Sequence, residues 1–299
     1  MKTLSKFKED LIVEGGNAIP GVGPINQENS IATVNALYKE FLGSLKIKEK
    51  DVAMLGSTGK KGPKQTSGDI DIAISAKTLL KSNKINTFSD MVDLIVQVIK
   101  RKGYVYKDLR SIGIVSFGYP IENVDGHQAN ETVQVDFMLV QDVKFASFAF
   151  YSPSYLESSF KGLFRNELNY AVAKNAKLKV NKIDPSTNTP IEWSRYWFDM
   201  QGGLMQGSQT NVSKKTGKIV KSIRSLSKEL VSYDPDTVVQ FLYGDTVKAQ
   251  DVMTFENTLK AVLSSKFPYA SKRKIILKMA SEGIQSKGFP IPDILSKVL

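Results

Sequence analysis

Apolar residues in the first half of the chain follow two different periods. Between residues 28 and 46, and again between 87 and 101, they recur every three to four positions, which predicts two amphipathic helices. Short apolar runs bounded by polar or turn residues predict strands between and after these helices. The predicted strands cover 52–55, 69–74, 104–106, 112–119 and 133–140. We therefore predict an α/β arrangement up to about residue 145.

Beyond that point the apolar spacing becomes helical. Residues 1–12 also predict a short amphipathic helix. The Gly- and Pro-rich segment that follows from Gly15 is predicted as a linker, with a ligand-contacting loop as the alternative. We predict an α+β fold: a mixed sheet flanked by helices in residues 1–150, then a mainly helical domain in 151–299. The predicted helices of the second half cover 163–176, 220–230, 237–242, 255–263 and 274–282, with loops at 184–190, 201–203 and 289–292.

Composition narrows the classes of protein to consider. The 299 residues are 41% hydrophobic and 24% charged, as in a folded globular protein. Cysteine is absent, which excludes disulfides and cysteine-ligated zinc, and a single histidine excludes a catalytic triad or a His-rich metal site. No apolar run approaches the roughly 18 residues of a membrane span, and the N-terminus lacks a signal-peptide core, so we expect the cytoplasm. The formal charge of +11 favours polyanionic partners such as RNA or nucleotides.

Two of the predicted strands carry carboxylates. Asp69 and Asp71 share one face of their strand because side chains alternate, and Asp136 lies opposite the apolar face of the last strand. If these two strands pair antiparallel, the three carboxylates converge. Such a cluster is costly when bare, and Mg²⁺ is the natural counter-ion because it prefers oxygen ligands. We predict two Mg²⁺ ions here, with Mn²⁺ as an alternative.

A glycine-containing turn precedes the acidic strand. Gly56 allows the backbone to approach phosphates, and Ser57 offers a hydroxyl and an N–H to a phosphate oxygen. Thr58 and Lys60 follow and are predicted to help bind the nucleotide. An Asp-x-Asp strand by itself is often a solvent-facing edge. The turn, the short spacer and the third aspartate together favour a metal and nucleotide site over that alternative.

These residues resemble a known signature. Leu55-Gly-Ser followed by Asp69-Ile-Asp71-Ile looks like the motif of the DNA polymerase β-type nucleotidyltransferase superfamily. The resemblance implies a nucleotidyltransferase-type mixed sheet, two-metal catalysis and transfer of a nucleoside monophosphate from an NTP to a hydroxyl. It also implies that Asp69, Asp71 and Asp136 bind the metals and catalyse the reaction, and that Gly56 and Ser57 bind the nucleotide.

Two further features of the sequence bear on which members of the superfamily it resembles. The segments Glu14-Gly-Gly-Asn and Lys161-Gly-x-x-Arg-Asn resemble uncharacterised nucleotidyltransferases of large tailed phages, which would place the protein in a host cytoplasm. An Arg-Arg-Asp segment like that of the tRNA CCA-adding enzymes is missing after the acidic strand, which argues against that subgroup.

Basic and aromatic residues of the second half are further candidates. Lys161 and Arg165 would share a helix face, where they either bind the triphosphate or form a solvated surface. Lys221, Arg224 and Lys228 would share one face of the helix predicted over 220–230, and this face is either a nucleic-acid contact or an ordinary polar surface. Trp193 and Trp197 are predicted as core rather than as base-stacking residues. The nucleic-acid candidates are Lys218, Lys221, Arg224 and Lys228.

The sequence therefore predicts a template-independent nucleotidyltransferase that acts on the 3′ hydroxyl of RNA. The alternatives are transfer to a protein or small molecule, synthesis of a signalling oligonucleotide, and a non-catalytic binding protein with the same fold. We expect the helical domain to line the nucleotide and acceptor cleft.

Overall fold

The computed structural model describes residues 18–62, 65–176, 179–213 and 215–299. The helix predicted for 1–12 and the start of the following linker lie outside these ranges. The chain divides into two compact units, with the boundary between Ser159 and Phe160. No helix in the described part of the chain is both long enough and apolar enough to cross a bilayer.

The first unit contains a mixed five-stranded sheet. Its helices are α1 (Gln27–Leu45), α2 (Ala76–Asn83), α3 (Phe88–Arg101) and α4 (Val143–Ala149). A two-residue pair, β1 (Ile25–Asn26) and β3 (Thr66–Ser67), stands apart from the main sheet. The sheet strands are β2 (Val52–Met54), β4 (Asp69–Ser75), β5 (Tyr106–Leu109), β6 (Ile114–Pro120) and β7 (Thr132–Val140).

The strand order of this sheet is β2-β4-β7-β6-β5. β4 and β7 lie side by side and run parallel, while the other neighbouring strands pair antiparallel. The antiparallel pairing assumed for the two acidic strands is therefore wrong. The acids still converge, because the parallel register places Asp71 directly opposite Asp136.

Both faces of the sheet are packed. Ile70, Ile72 and Ile74 join Val135 and Phe137 in a core that α1 and α3 cover. Ala73 and Met138 point to the other face, where they pack with Leu55 and with Ala146 of α4. The alternation predicted from the sequence is confirmed, and it leaves the aspartates on the face that α4 covers only in part.

The second unit combines helices with a sheet that the sequence did not reveal. The helices are α5 (Gly162–Asn175), α6 (Pro235–Tyr243), α7 (Phe255–Leu263), α8 (Arg273–Ser286) and the short α9 (Asp293–Ser296). Between α5 and α6 the antiparallel order is β11-β10-β9-β8, and β12 also pairs with β10. These strands are β8 (Lys179–Ile183), β9 (Pro190–Asp199), β10 (Gly203–Val212), β11 (Ile219–Ser225) and β12 (Glu229–Ser232).

The helix predicted over 220–230 is wrong. Its apolar residues fit a helical period, but the segment pairs with the edge of β10 as β11 and β12. Val220, Ser222 and Ile223 are poor helix formers, and the open edge of β10 satisfies their backbone groups. The loops predicted at 184–190 and 201–203 fall between β8 and β9 and between β9 and β10.

Candidate metal and nucleotide site

Three carboxylates meet on two adjacent strands of the first unit. Asp69 and Asp71 lie at the start of β4, and Asp136 lies in the middle of β7. One carboxylate oxygen from each residue lies within 4.8 Å of the others, and all three side chains are half-buried. The convergence predicted from the sequence is present.

Burial raises the pKa of each of these carboxyls, and repulsion between neighbouring carboxylates adds to the rise for Asp69 and Asp71. The pKa of Asp69 rises to about 6, chiefly because burial disfavours its charge and then because Asp136 is near, while Lys61 lowers it. Burial, followed by the charges of Asp69 and Asp136, raises the pKa of Asp71 well above its ordinary value. Burial also raises the pKa of Asp136, which Ser116 and Gln134 lower in part.

The donor set fits a hard divalent cation. Three carboxylate oxygens within 4.8 Å of one another are electrostatically unfavourable without a cation, which the raised pKa values express. Oxygen ligands of this kind suit Mg²⁺ or Mn²⁺, whereas zinc sites favour nitrogen and sulfur. Asp69, Asp71 and Asp136 are the residues that would hold the metal.

Gly56 lies against the acidic cluster. Its φ of +68° is in the left-handed region, and a Cβ placed there would lie 2.9 Å from Oδ2 of Asp71. The glycine is therefore required both by its backbone conformation and by the carboxylate beside it. The main chain of Leu55 donates to the carbonyl of Asp71 at 2.8 Å, which holds this turn to β4.

The next two residues of the turn have different environments. Ser57 is half-buried, and its hydroxyl makes no hydrogen bond to any residue that the structure describes. The hydroxyl of Thr58 is buried and donates to the carbonyl of Asp69 at 2.8 Å. Thr58 therefore anchors the turn to the acidic strand, whereas the hydroxyl of Ser57 is not used for such an anchor.

Several contacts join the segment that carries Lys60 to the loop that carries Tyr151. The ammonium of Lys60 lies 4.6 Å from the centroid of the Tyr151 ring, and the Tyr151 hydroxyl donates to Glu157 at 2.8 Å. The main chain adds a bridge between Gly56 and Tyr151 and a hydrogen bond of 3.2 Å from Tyr155 to the Lys60 carbonyl. The positive end of Lys60 is thus held near the turn by an aromatic face.

Sequence reasoning missed three residues around the cluster. Gln134 donates to Oδ1 of Asp136 at 3.0 Å, and its own oxygen accepts from the main chain of Ala18 at 2.8 Å. Ser116 is buried and lies opposite Asp136 in the sheet register. Lys61 acts on Asp69 through its charge. The position of Gln134, two residues before Asp136 on the same strand face, was a usable signal, whereas Ser116 required knowledge of the strand pairing.

Two predicted nucleotide-binding residues belong to the second unit. Arg165 is completely buried in α5, where it donates to the carbonyl of Met253 at 3.4 Å, and Asn169 on the same face is buried as well. Lys161 precedes α5, with its ammonium 4.2 Å from the centroid of the Phe289 ring. The face that carries Arg165 is neither a solvated surface nor an open phosphate site, because it packs inside the unit.

Of the four basic residues predicted to contact nucleic acid, two lie on a strand and two lie in the segments that flank it, instead of on one helix face. Lys221 and Arg224 belong to β11, and Lys218 and Lys228 are exposed in the flanking turns. Arg224 is partly buried, and register places it opposite Thr210 of β10. The shared helical face expected for them is therefore replaced by positions along a sheet edge.

Neither a described protein family nor a curated protein matches this chain. Among solved structures, the chain is similar to Leishmania infantum polymerase beta in a ternary P/T complex, with 13% identity, 81% of this chain and 87% of that chain covered, and a TM-score of 0.38. It is also similar to the Cid1 poly(U) polymerase with MgGTP bound, at 16% identity over 60% of this chain and 50% of that chain, with a TM-score of 0.26.

Proposed function

We propose that the protein is a nucleotidyltransferase that moves a nucleoside monophosphate from an NTP to a hydroxyl group, with the 3′ end of RNA as acceptor. The observation that carries the proposal is the cluster of Asp69, Asp71 and Asp136, whose oxygens lie within 4.8 Å of one another beside the Gly56 turn. In the reaction the acceptor oxygen bonds to the α-phosphorus. The bond from that phosphorus to the bridging oxygen breaks, and pyrophosphate and the hydroxyl proton leave.

The residues of the site suit this chemistry because phosphoryl transfer depends mainly on positioning and charge stabilisation. The three aspartates would hold two Mg²⁺ ions, which supply charge neutralisation at the triphosphate and acidify the acceptor hydroxyl. Gly56 keeps the turn close to the carboxylates, and Ser57 offers its hydroxyl to a phosphate oxygen. Lys60 adds a positive charge at the same turn.

Charge supports RNA as the acceptor. The residues from Phe160 to Leu299 include 22 lysines and arginines against 12 aspartates and glutamates, which gives a formal charge of +10. A basic domain of this kind favours a polyanionic ligand. The reaction would take place in the cytoplasm, where NTPs and RNA occur together.

The test is a labelling experiment with the full chain. Each of the four α-labelled NTPs is incubated with total RNA, the protein and Mg²⁺, and the products are separated into RNA, protein and small molecules. We expect label on RNA, and none when Asp69→Asn and Asp71→Asn are combined or when EDTA is present. Asp90→Asn, which changes an exposed helix cap far from the cluster in sequence, is the matched control and should keep the activity.

The outcomes separate the alternatives. Label on protein or in soluble products would move the acceptor to a protein, a small molecule or a second nucleotide. Absence of transfer with every NTP and acceptor, together with absence of Mn²⁺ binding by calorimetry, would overturn the proposal. A biological effect that survives the double aspartate variant would indicate a non-catalytic binding protein.

A further inference from the structure

The sheet of the second unit has one face that carries both tryptophans of the chain. Trp193, Arg195 and Trp197 alternate along β9 and therefore share a face. In the register with β10 they lie opposite Gln209, Gly207 and Met205. The chain contains only these two tryptophans. We call this surface the tryptophan face and define it by Trp193, Arg195, Trp197, Met205, Gly207, Gln209 and the neighbouring Lys228.

A cation lies beside each tryptophan. The guanidinium of Arg195 is 5.8 Å from the ring centroid of Trp193, and the ammonium of Lys228 is 5.8 Å from that of Trp197. The Trp197 ring lies across Gly207, where an added Cβ would be 2.6 Å from its Cη2 atom. An added Cβ at Gly207 would also meet the carbonyl of Ser227, so the glycine leaves room for both the Trp197 ring and this backbone segment.

The two faces of this sheet differ in what covers them. On the opposite face Phe198 and Leu204 are buried, and the Tyr196 ring packs on Phe241 of α6 with a centroid distance of 4.7 Å. On the tryptophan face, Val180 pairs in register with Trp193 and Leu230 with Met205, and both are more than a third exposed. The tryptophan face is therefore open at its edges, next to Val180 and Leu230, although Trp193 itself is buried.

Arg195 supplies an observation that points to a ligand. Its Nε atom is buried from solvent and has no hydrogen-bond partner among the residues that the structure describes. A buried donor of a charged group without an acceptor is costly. Because the side chain as a whole is only half-buried, a phosphate oxygen would bind the terminal N–H donors of the guanidinium rather than the buried Nε.

We propose that the tryptophan face binds single-stranded RNA, with a base stacked on Trp197 and backbone phosphates on Arg195 and Lys228. Aromatic rings interleaved with cations bind single strands without base-specific hydrogen bonds. The formal charge of +10 of this unit complements such a ligand. Trp193, which is only 7% exposed, supports Arg195 instead of stacking itself. The choice of RNA rests on the proposed function, since the bound strand would be its acceptor.

The two tryptophans make the site directly observable. A short single-stranded RNA of mixed sequence is titrated into the full chain without NTP or divalent metal, and tryptophan fluorescence is followed. We expect quenching with single-stranded RNA and little with a duplex of the same length. Trp197→Ala should weaken binding by roughly five- to a hundredfold, the range for loss of one stacked base, while Trp197→Phe should keep most of the affinity.

Charge variants give an independent measurement that does not depend on tryptophan packing. Fluorescence anisotropy of labelled RNA should show weaker binding by Lys228→Gln, with the slope of log affinity against log salt reduced by about 0.7. Asp199→Asn should tighten binding because the carboxylate of Asp199 pairs with Lys228 at 3.3 Å and competes with phosphate. Lys260→Gln, an exposed change of the same charge on α7, is the control, and its affinity should stay within about twofold of the unchanged protein.

The results that would overturn the inference are distinct from those that would overturn the transferase. Equal RNA affinity for Trp197→Ala, Lys228→Gln and the unchanged protein would contradict the proposed RNA-binding site. Self-association that depends on Trp197 in sedimentation, without quenching of tryptophan fluorescence by RNA, would also contradict it. Asp69→Asn should bind RNA normally while losing transfer. RNA labelling that persists without any binding at this face would remove the inference and leave the proposed function standing.

Discussion

The two units each contain a five-stranded sheet but differ in charge and in what covers the sheet. The first unit has 19 basic and 18 acidic residues, whereas the second has 22 and 12. In the first, helices pack on both sheet faces and three carboxylates remain half-buried at the strands. In the second, one sheet face carries tryptophans and cations and is partly exposed.

Under the proposed function and the proposed RNA site, this difference would assign two electrostatic tasks to different units. A cluster of acids that holds cations needs partial burial, because low solvent access strengthens the attraction for metal at the cost of raised pKa values. A surface for a polyanion needs exposed cations on a stiff support. Placing the excess positive charge in the second unit keeps it out of the acidic sheet, where it would compete with metal.

The largest expected effect comes from removing one carboxylate of the first unit. Asp71→Asn should lower the transfer rate by roughly a thousandfold or more, because preorganised charge stabilisation of the reacting phosphate is lost. Single-turnover kinetics at saturating NTP would measure this. RNA affinity at the second unit should be unchanged, and a parallel loss of RNA binding would contradict the separation of tasks.

Gly56→Ala tests whether the turn and the cluster act together. The new Cβ would meet Oδ2 of Asp71 at 2.9 Å and would need a φ of +68°, so the carboxylate must move. We expect metal affinity to fall by about ten- to a hundredfold, as when a group that orients a ligand is disturbed. Mn²⁺ calorimetry is the measurement, and Gly126→Ala, at a positive φ with open space around it, is the control for backbone strain alone.

Asp69 should make the stability of the metal-free protein depend on pH. The pKa of Asp69 in the folded protein is about 6, above its ordinary value of 3.8, so the metal-free fold loses stability as pH rises through about 6 and regains it below about 4. Asp69→Asn should therefore raise the free energy of unfolding by about 3 kcal/mol at pH 8, with little gain at pH 4. Urea unfolding in EDTA would test this.

Asp90 of the same unit is a control, because its pKa is shifted in the opposite direction from that of Asp69. The hydrogen bonds from Thr87 lower the pKa of Asp90, so its contribution to stability is present above its ordinary pKa and is lost as pH falls. Asp90→Asn should destabilise the protein at neutral pH and have less effect in acid. An Asp69→Asn curve that follows the Asp90→Asn curve would contradict the raised pKa.

The smallest expected effect compares one lysine from each unit. Lys60→Gln should raise KM for NTP several-fold, in line with the loss of one exposed charge contact, and leave KM for RNA unchanged. Lys228→Gln should do the reverse. Steady-state kinetics with each substrate varied in turn would show the crossed pattern, and equal effects of both variants on both substrates would contradict it.

Much of the first unit followed from local pattern. The strands at Asp69 and Asp136 were predictable because alternating apolar residues require one buried face, and this put the aspartates on the other face. The pairing direction was not predictable, since it depends on β5 and β6 occupying the far side of β7. The helix assigned to 220–230 failed for a related reason, because hydrogen bonds to β10 outweighed a helical spacing of isoleucine and leucine.

The identity and spacing of Gly56, Ser57 and the three aspartates were enough to indicate a metal and nucleotide site, because these residue types carry their chemistry wherever they converge. Only the tertiary structure decided that Arg165 is core, that Thr58 is an anchor and that Gln134 supports Asp136. It also brought both tryptophans onto one partly open sheet face. A sequence specifies which chemical groups are present, whereas burial and strand register determine which of those groups a ligand can contact.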